Sequence, residues 1–226
     1  MTLRRLSVAG GGGADDSRLL DEKFAAWLGT TGKMLYLPLA MDGRDPSYDA
    51  CLHWVREVFA RYEVTDIEMW TDLDAGREDQ LDRFQAIYIG GGNTFRLLHL
   101  IRSSGFEAAL ANFVERGGAV YGGSAGAIIL GRDISTCAHI DPNEVGLQNT
   151  AGLDFINGYA IWCHYRLEDD ANIIRFVEAH QLAVLALSER SGLCLEDDHL
   201  LAMGFEGVRK FTRSRKQYIE VGQVFS

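Results

Sequence analysis

Short β-rich apolar runs alternate with amphipathic segments through the first 130 residues. Leu6–Ala9 reads as a strand, a run of four glycines follows, and a helix is expected around Ser17–Leu28. Met34–Pro38 predicts a second strand. In Asp49–Tyr62, Leu52, Val55, Val58 and Phe59 recur at helical spacing, so that segment predicts an amphipathic helix. Val64–Met69 and Ala86–Ile89 read as further strands. Asn93–Ile101 and Phe106–Arg116 read as helices parted by Ser103-Ser104-Gly105, and Ala119–Tyr121 as another strand. Strands that alternate with helices form βαβ units, whose parallel sheet is covered on both faces.

From Ala183 onward the pattern changes to short apolar runs broken by Ser191-Gly192, Asp197-Asp198 and Glu206-Gly207, which predicts antiparallel strands. The expected fold class is therefore α/β: a mostly parallel sheet with helices on both faces and an antiparallel C-terminal extension. No linker, repeat or low-complexity run interrupts the pattern, so one α/β domain over residues 1–226 is expected.

Composition narrows the function classes. With 47% apolar and 24% charged residues, the chain can bury a sizeable core. A formal charge of −10 disfavours nucleic acid and anionic membrane, both of which need a basic face. Cys51, Cys137, Cys163 and Cys194 are widely spaced with no C-x-x-C, which suits a reducing compartment. The apolar stretch Leu6–Ala9 meets glycine too soon for a signal peptide, and no run approaches a membrane span. A cytoplasmic location is expected, with no metal or cofactor.

The strongest chemical signal is G-x-S-x-G, written as Gly122-Gly123-Ser124-Ala125-Gly126, after an apolar strand and before a helix-competent run. That context suits a nucleophile elbow. A sharp turn holds the serine exposed, and the N–H of Ala125 points where an oxyanion would form. A second glycine turn, Gly90-Gly91-Gly92 with Asn93 and Thr94, ends another strand. It offers backbone N–H groups for an oxyanion or a phosphate, and a cap for the next helix. The run Gly10–Gly13 does not complete a dinucleotide fingerprint, because Asp15 or Asp16 stands where the third glycine belongs. Among six histidines, His164 at the end of the run Tyr159–Tyr165 is the favoured base; His139 and His199 are the alternatives.

Together these segments resemble the peptidase E family of serine peptidases, which includes aspartyl dipeptidases and, more distantly, cyanophycinase. The matching pieces are Gly90–Phe95, Gly122–Ala127, Cys163-His164-Tyr165 and Gly192–Asp198. The resemblance implies a class I glutamine amidotransferase-like fold, with Ser124 as nucleophile and His164 as base. It further implies an oxyanion hole from Gly91 or Gly92 together with Ala125, with Asn93 at the substrate-binding turn. The triad acid is expected at Asp197, with Glu196 and Asp141 as alternatives.

The implied reaction is hydrolysis of small peptides, including dipeptides with an N-terminal aspartate, for which Arg166 is the nearest candidate cation in sequence. Three other readings compete. One is a cyanophycinase-like peptidase, one a small-molecule esterase with His199 as base, and one a non-catalytic ligand-binding protein retaining a relic elbow. Expected partners are a small peptide and at most a second copy of the chain in a homodimer; neither nucleic acid nor a membrane is expected.

Overall fold

A computed structural model describes residues 4–73 and 78–226. The elements of its first part are β1 (Arg5–Ala9), α1 (Arg18–Leu28), β2 (Met34–Leu37), α2 (Tyr48–Ala60), β3 (Ile67–Met69), β4 (Ala86–Ile89), α3 (Thr94–Ser103), α4 (Phe106–Glu115), β5 (Ala119–Gly123) and α5 (Ala125–Leu130). Then follow β6 (Ala160–Trp162), α6 (Asp170–His180), β7 (Val184–Ala186), β8 (Ser191–Glu196), β9 (His199–Gly204), β10 (Val208–Phe211), β11 (Lys216–Ile219) and β12 (Val224–Phe225).

The main sheet has eight strands in the order β12-β9-β8-β1-β5-β4-β2-β3. Strands β1, β5, β4, β2 and β3 are mutually parallel, whereas β8 pairs antiparallel with β1 and is followed by antiparallel β9 and β12. The antiparallel C-terminal extension expected from the sequence is present, and half of its strands complete the main sheet. A second sheet, ordered β11-β10-β7-β6, combines one parallel pair with two antiparallel ones.

Side-chain alternation along the central strands sorts residues to two faces. Leu35, Leu37, Ile87, Ile89 and Val120 join the core on the side of α3 and α5, and that core continues through Ile161, Leu185 and Val208 of the second sheet. Tyr36, Tyr88 and Tyr121 point the other way and pack with Phe24 of α1 and with Val55 and Phe59 of α2. Both faces are covered, which is why β2 and β4 read as unbroken apolar runs. Two sequence expectations shift slightly. Cys51 rather than Leu52 is buried on α2, and Val64 is buried ahead of β3 rather than within it. No helix among the described residues is long and apolar enough to cross a membrane.

Candidate active site

Ser124 is the single residue between β5 and α5, with φ 50° and ψ −113°. A non-glycine residue held there costs on the order of 1–3 kcal/mol, and such strain persists only where the surroundings fix it. Here the Ser124 N–H donates to the Ala9 carbonyl at 3.1 Å, and its own carbonyl accepts from Ile128 at 3.0 Å. The turn also needs a helix packed tightly on β4: a Cβ on Gly126 would stand 2.2 Å from the Ile89 carbonyl oxygen. Glycine is the side chain that fits.

His164 follows β6 with φ 54°, and its N–H donates to the Gly10 carbonyl at 2.9 Å. Its Nε2 lies 2.8 Å from Ser124 Oγ, a hydrogen-bond distance for a hydroxyl donating to a neutral ring. The other ring nitrogen, Nδ1, is 3.5 Å from Glu189 Oε1. The ring rests against Gly11, whose φ is +133°; a Cβ there would come within 2.3 Å of His164 Cε1. The glycine run after β1, which lacks a dinucleotide fingerprint, thus makes room for the histidine.

The carboxylate set beside His164 Nδ1, Glu189, is not one of the three expected acids. Strand β8 runs antiparallel to β1, with Gly192 beside Ala9 and Glu196 beside Arg5. Its start therefore lies at the serine end of the sheet, and Asp197 lies past its far end. From Gly192 to Glu196 alone the strand rises about 13 Å. Asp197 instead sits at the β8–β9 hairpin, its carbonyl 2.8 Å from His199 Nδ1. Glu196 accepts from Trp27 Nε1 and pairs with Lys23, each at 2.8 Å. Asp141 accepts from the Thr94 N–H at 2.8 Å and so caps α3. Glu189, in the turn that leads into β8, is the carboxylate beside the histidine, and no motif in the sequence points to it.

The glycine turn after β4 divides its labour. Gly91 faces the serine: a Cβ there would be 3.2 Å from Ser124 Cβ and 3.6 Å from its Oγ. Gly92 backs onto Ala40 instead, with φ +132°. Asn93 uses its polar groups within the turn and the neighbouring loops. Its side chain accepts from Arg96 N–H and donates to the Pro142 carbonyl, both at 2.8 Å, and its N–H donates to Ala40. Ala125 begins α5, so its N–H is among those a helix leaves without an intrahelical acceptor.

The other candidate histidines lie in other settings. His139 stacks on Trp162 and His199 stands at the β8–β9 hairpin. Arg166 lines a separate cavity with Arg209 and Glu206. Burial pushes the Cys163 thiol well above its usual range, which fits a packing residue.

Beside Ser124 and His164 opens a cavity of about 160 Å³. Its floor comes from one rung of the sheet, where Tyr36, Tyr88 and Tyr121 stand in register on β2, β4 and β5. The rings of Tyr88 and Tyr121 stack at 4.6 Å. Two residues further along the same face come Gly90 on the β4 side and Gly123 on β5, too small to fill the space above the rings. Ser17 and Trp54 complete the wall. Burial raises the Tyr36, Tyr88 and Tyr121 phenols above their usual range, so all three keep their protons at neutral pH.

A peptidase E of Streptomyces coelicolor is 32% identical over 144 residues, which is 59% of this chain and 58% of that protein. A peptidase E of Shewanella denitrificans is 34% identical over 108 residues, 47% of this chain and 43% of that one. The chain thus spans about half the length of these two relatives. Among solved structures, a peptidase from an acI-B1 Actinobacterium shares the fold with a TM-score of 0.74. Its sequence is 19% identical, and the likeness covers 99% of this chain and 97% of that one. The model of peptidase family S51 matches residues 6–203. A match over that span, on a fold that strains one serine and sets a histidine against it, makes this chain a member of peptidase family S51.

Proposed function

We propose that the protein is a serine peptidase that cleaves short peptides through an acyl-enzyme on Ser124. The observation that carries the reading is the 2.8 Å contact between Ser124 Oγ and His164 Nε2, made by a serine held at positive φ. A serine hydroxyl is a weak nucleophile until a base takes its proton. His164 accepts that proton as Oγ attacks the scissile carbonyl, and Glu189 beside Nδ1 favours the tautomer that leaves Nε2 free to accept. The oxyanion then meets the N–H of Ala125 and the backbone at Gly91, aided by the N-terminal end of α5. Collapse of the intermediate breaks the C–N bond, and the leaving amine takes its proton from His164. Water, deprotonated by the same ring, hydrolyses the ester and regenerates Ser124.

The esterase reading required His199, which stands at the β8–β9 hairpin past the far end of β8. An aspartate-binding pocket requires a cation, and among the described residues no lysine or arginine lines the cavity beside Ser124. The proposal therefore stops at short peptides.

A fluorophosphonate probe is expected to label the wild type and to spare Ser124→Ala, with peptide turnover lost in the same variant. Equal labelling of both proteins would sink the reading. The acid is tested separately. Glu189 is half exposed and its contact is long, so Glu189→Gln is expected to lower kcat/KM about 10-fold, less than the roughly 10⁴-fold seen when a buried triad acid is neutralised. Asp197→Asn is expected to leave kcat/KM unchanged, and the reverse ranking would restore Asp197 as the acid.

A further inference from the structure

Beneath the cavity floor lies a carboxyl group that the hydrolytic mechanism does not use. Asp21 lies in the first turn of α1 and is 1% exposed. It falls on the inward face of α1 with Leu20, Phe24 and Leu28, where a side chain without charge would be the ordinary choice. Ser17 Oγ donates to Asp21 Oδ2 at 2.9 Å, and the Tyr121 hydroxyl is a second hydrogen-bond partner of the same carboxyl. Burial raises the group to about 6, so it still carries its charge at neutral pH. The cation that acts on it, Arg61, is an exposed residue already paired with Asp15 at 3.2 Å.

The consequence for the cavity follows from where the protons go. A hydroxyl has one hydrogen to give and lone pairs to receive with. Ser17 and Tyr121 both line the cavity beside Asp21, and Ser17 gives its hydrogen to that carboxyl, so it presents lone pairs to whatever enters. A guest carboxylate would meet the Ser17 lone pairs with a buried negative charge behind them. A guest ammonium would find the Ser17 lone pairs open to it, in a space close to the roughly 150 Å³ that takes one benzene-sized group.

We infer that this cavity is a subsite for a substrate ammonium group, and that Asp21, acting through Ser17 and Tyr121, sets that preference over an anionic side chain. The inference rests on peptide hydrolysis at Ser124. It departs from the N-terminal aspartate expected from the sequence. The ammonium has two sources, a lysine-like side chain or the N-terminus of the peptide itself, and the experiment separates them.

Calorimetric binding to Ser124→Ala is to be measured for Lys-Leu, norleucyl-Leu, N-acetyl-Lys-Leu, N-acetyl-norleucyl-Leu and Asp-Leu. The doubly neutral N-acetyl-norleucyl-Leu is expected to bind at least about 10-fold more weakly than Lys-Leu, the effect of one well-formed charged contact. Loss on replacing lysine by norleucine assigns the site to the side chain; loss on acetylation assigns it to the N-terminus. Asp21→Asn is expected to shrink the ratio to about twofold while leaving the affinity for N-acetyl-norleucyl-Leu unchanged, which a merely structural role would not do. Ser17→Ala, which keeps the charge and removes one acceptor, reads the same ratio should Asp21→Asn fail to fold.

Equal binding of all the peptides, tightest binding of Asp-Leu, or a ratio that survives both substitutions would overturn the inference. Wild-type hydrolysis of the same panel reports on the other reading. Binding with the expected ranking but no Ser124-dependent cleavage would overturn the peptidase and leave the ammonium site standing.

Discussion

Two strand–glycine–helix connections flank Ser124, and they use the same local chemistry to different ends. After β1, the glycine run leads into α1, whose N-cap Ser17 makes no side-chain capping bond and gives its hydroxyl to Asp21 instead. After β4, the glycine turn leads into α3, which is capped twice, by Asn93 on Arg96 N–H and by Asp141 on Thr94 N–H. In the first connection the polar groups serve the histidine and the cavity. In the second they satisfy the helix. Equal glycine content thus says little about role; what matters is where the polar side chains next to it are spent.

Breaking the first connection is expected to have the larger effects. Gly11→Ala places a methyl where the His164 ring lies, and loss of a positioned general base costs about 10²–10⁴-fold. We expect a fall of that size in kcat/KM with unchanged circular dichroism. A variant of near wild-type activity would detach the first glycine turn from catalysis.

Asp21 gives the next effect, on stability. Its carboxyl moves from 3.8 to about 6 on folding, and that shift corresponds to about 3 kcal/mol. The folded state holds the proton more tightly than the unfolded chain. This contribution to stability is therefore fully present below pH 3.8 and lost as the pH rises through 6. Asp21→Asn, uncharged throughout, is expected to exceed the wild type by up to about 3 kcal/mol at pH 8. The gap should narrow steadily toward pH 5 in urea titrations, and identical stability at pH 8 would remove the argument that the charge is costly.

The second connection should yield the smallest change. Asn93→Ala removes one cap and is expected to cost about 1 kcal/mol, with kcat/KM of the folded enzyme unaffected. A large fall in kcat/KM without loss of stability would return Asn93 to the substrate-binding groups and erase the contrast between the two turns.

Much of this was readable in the chain. The alternation of β-rich runs with amphipathic segments marks β1, β2, β4 and β5 and the helices between them, because strands buried on both faces must be apolar throughout. Ser124 stands out because a strained elbow demands small neighbours, and that demand is local. The carboxylate beside His164 was not readable. Whether the start or the end of β8 lies near the serine depends on which strand it pairs with and in which direction, and antiparallel pairing with β1 puts the turn before it at the site. Glu189 therefore lies at the site although nothing in its own segment distinguishes it. The tyrosine floor was half readable. Tyr88-Ile89-Gly90 and Tyr121-Gly122-Gly123 both show a tyrosine two residues before a glycine, yet only sheet register makes neighbours of them. Asp21 carried a usable signal, being a charge within the apolar stripe of α1.

The tyrosine rung has a further consequence for molecular recognition. A pocket floored by loops can adapt to its guest; this one is floored by adjoining strands fixed about 4.8 Å apart. It is preorganised, so a fitting guest orders little of the chain on entry. It is also unyielding, because a bulkier guest must displace close-packed rings or part the sheet itself. Substrate range in such a protein changes by exchanging one residue on one strand rather than by remodelling a loop.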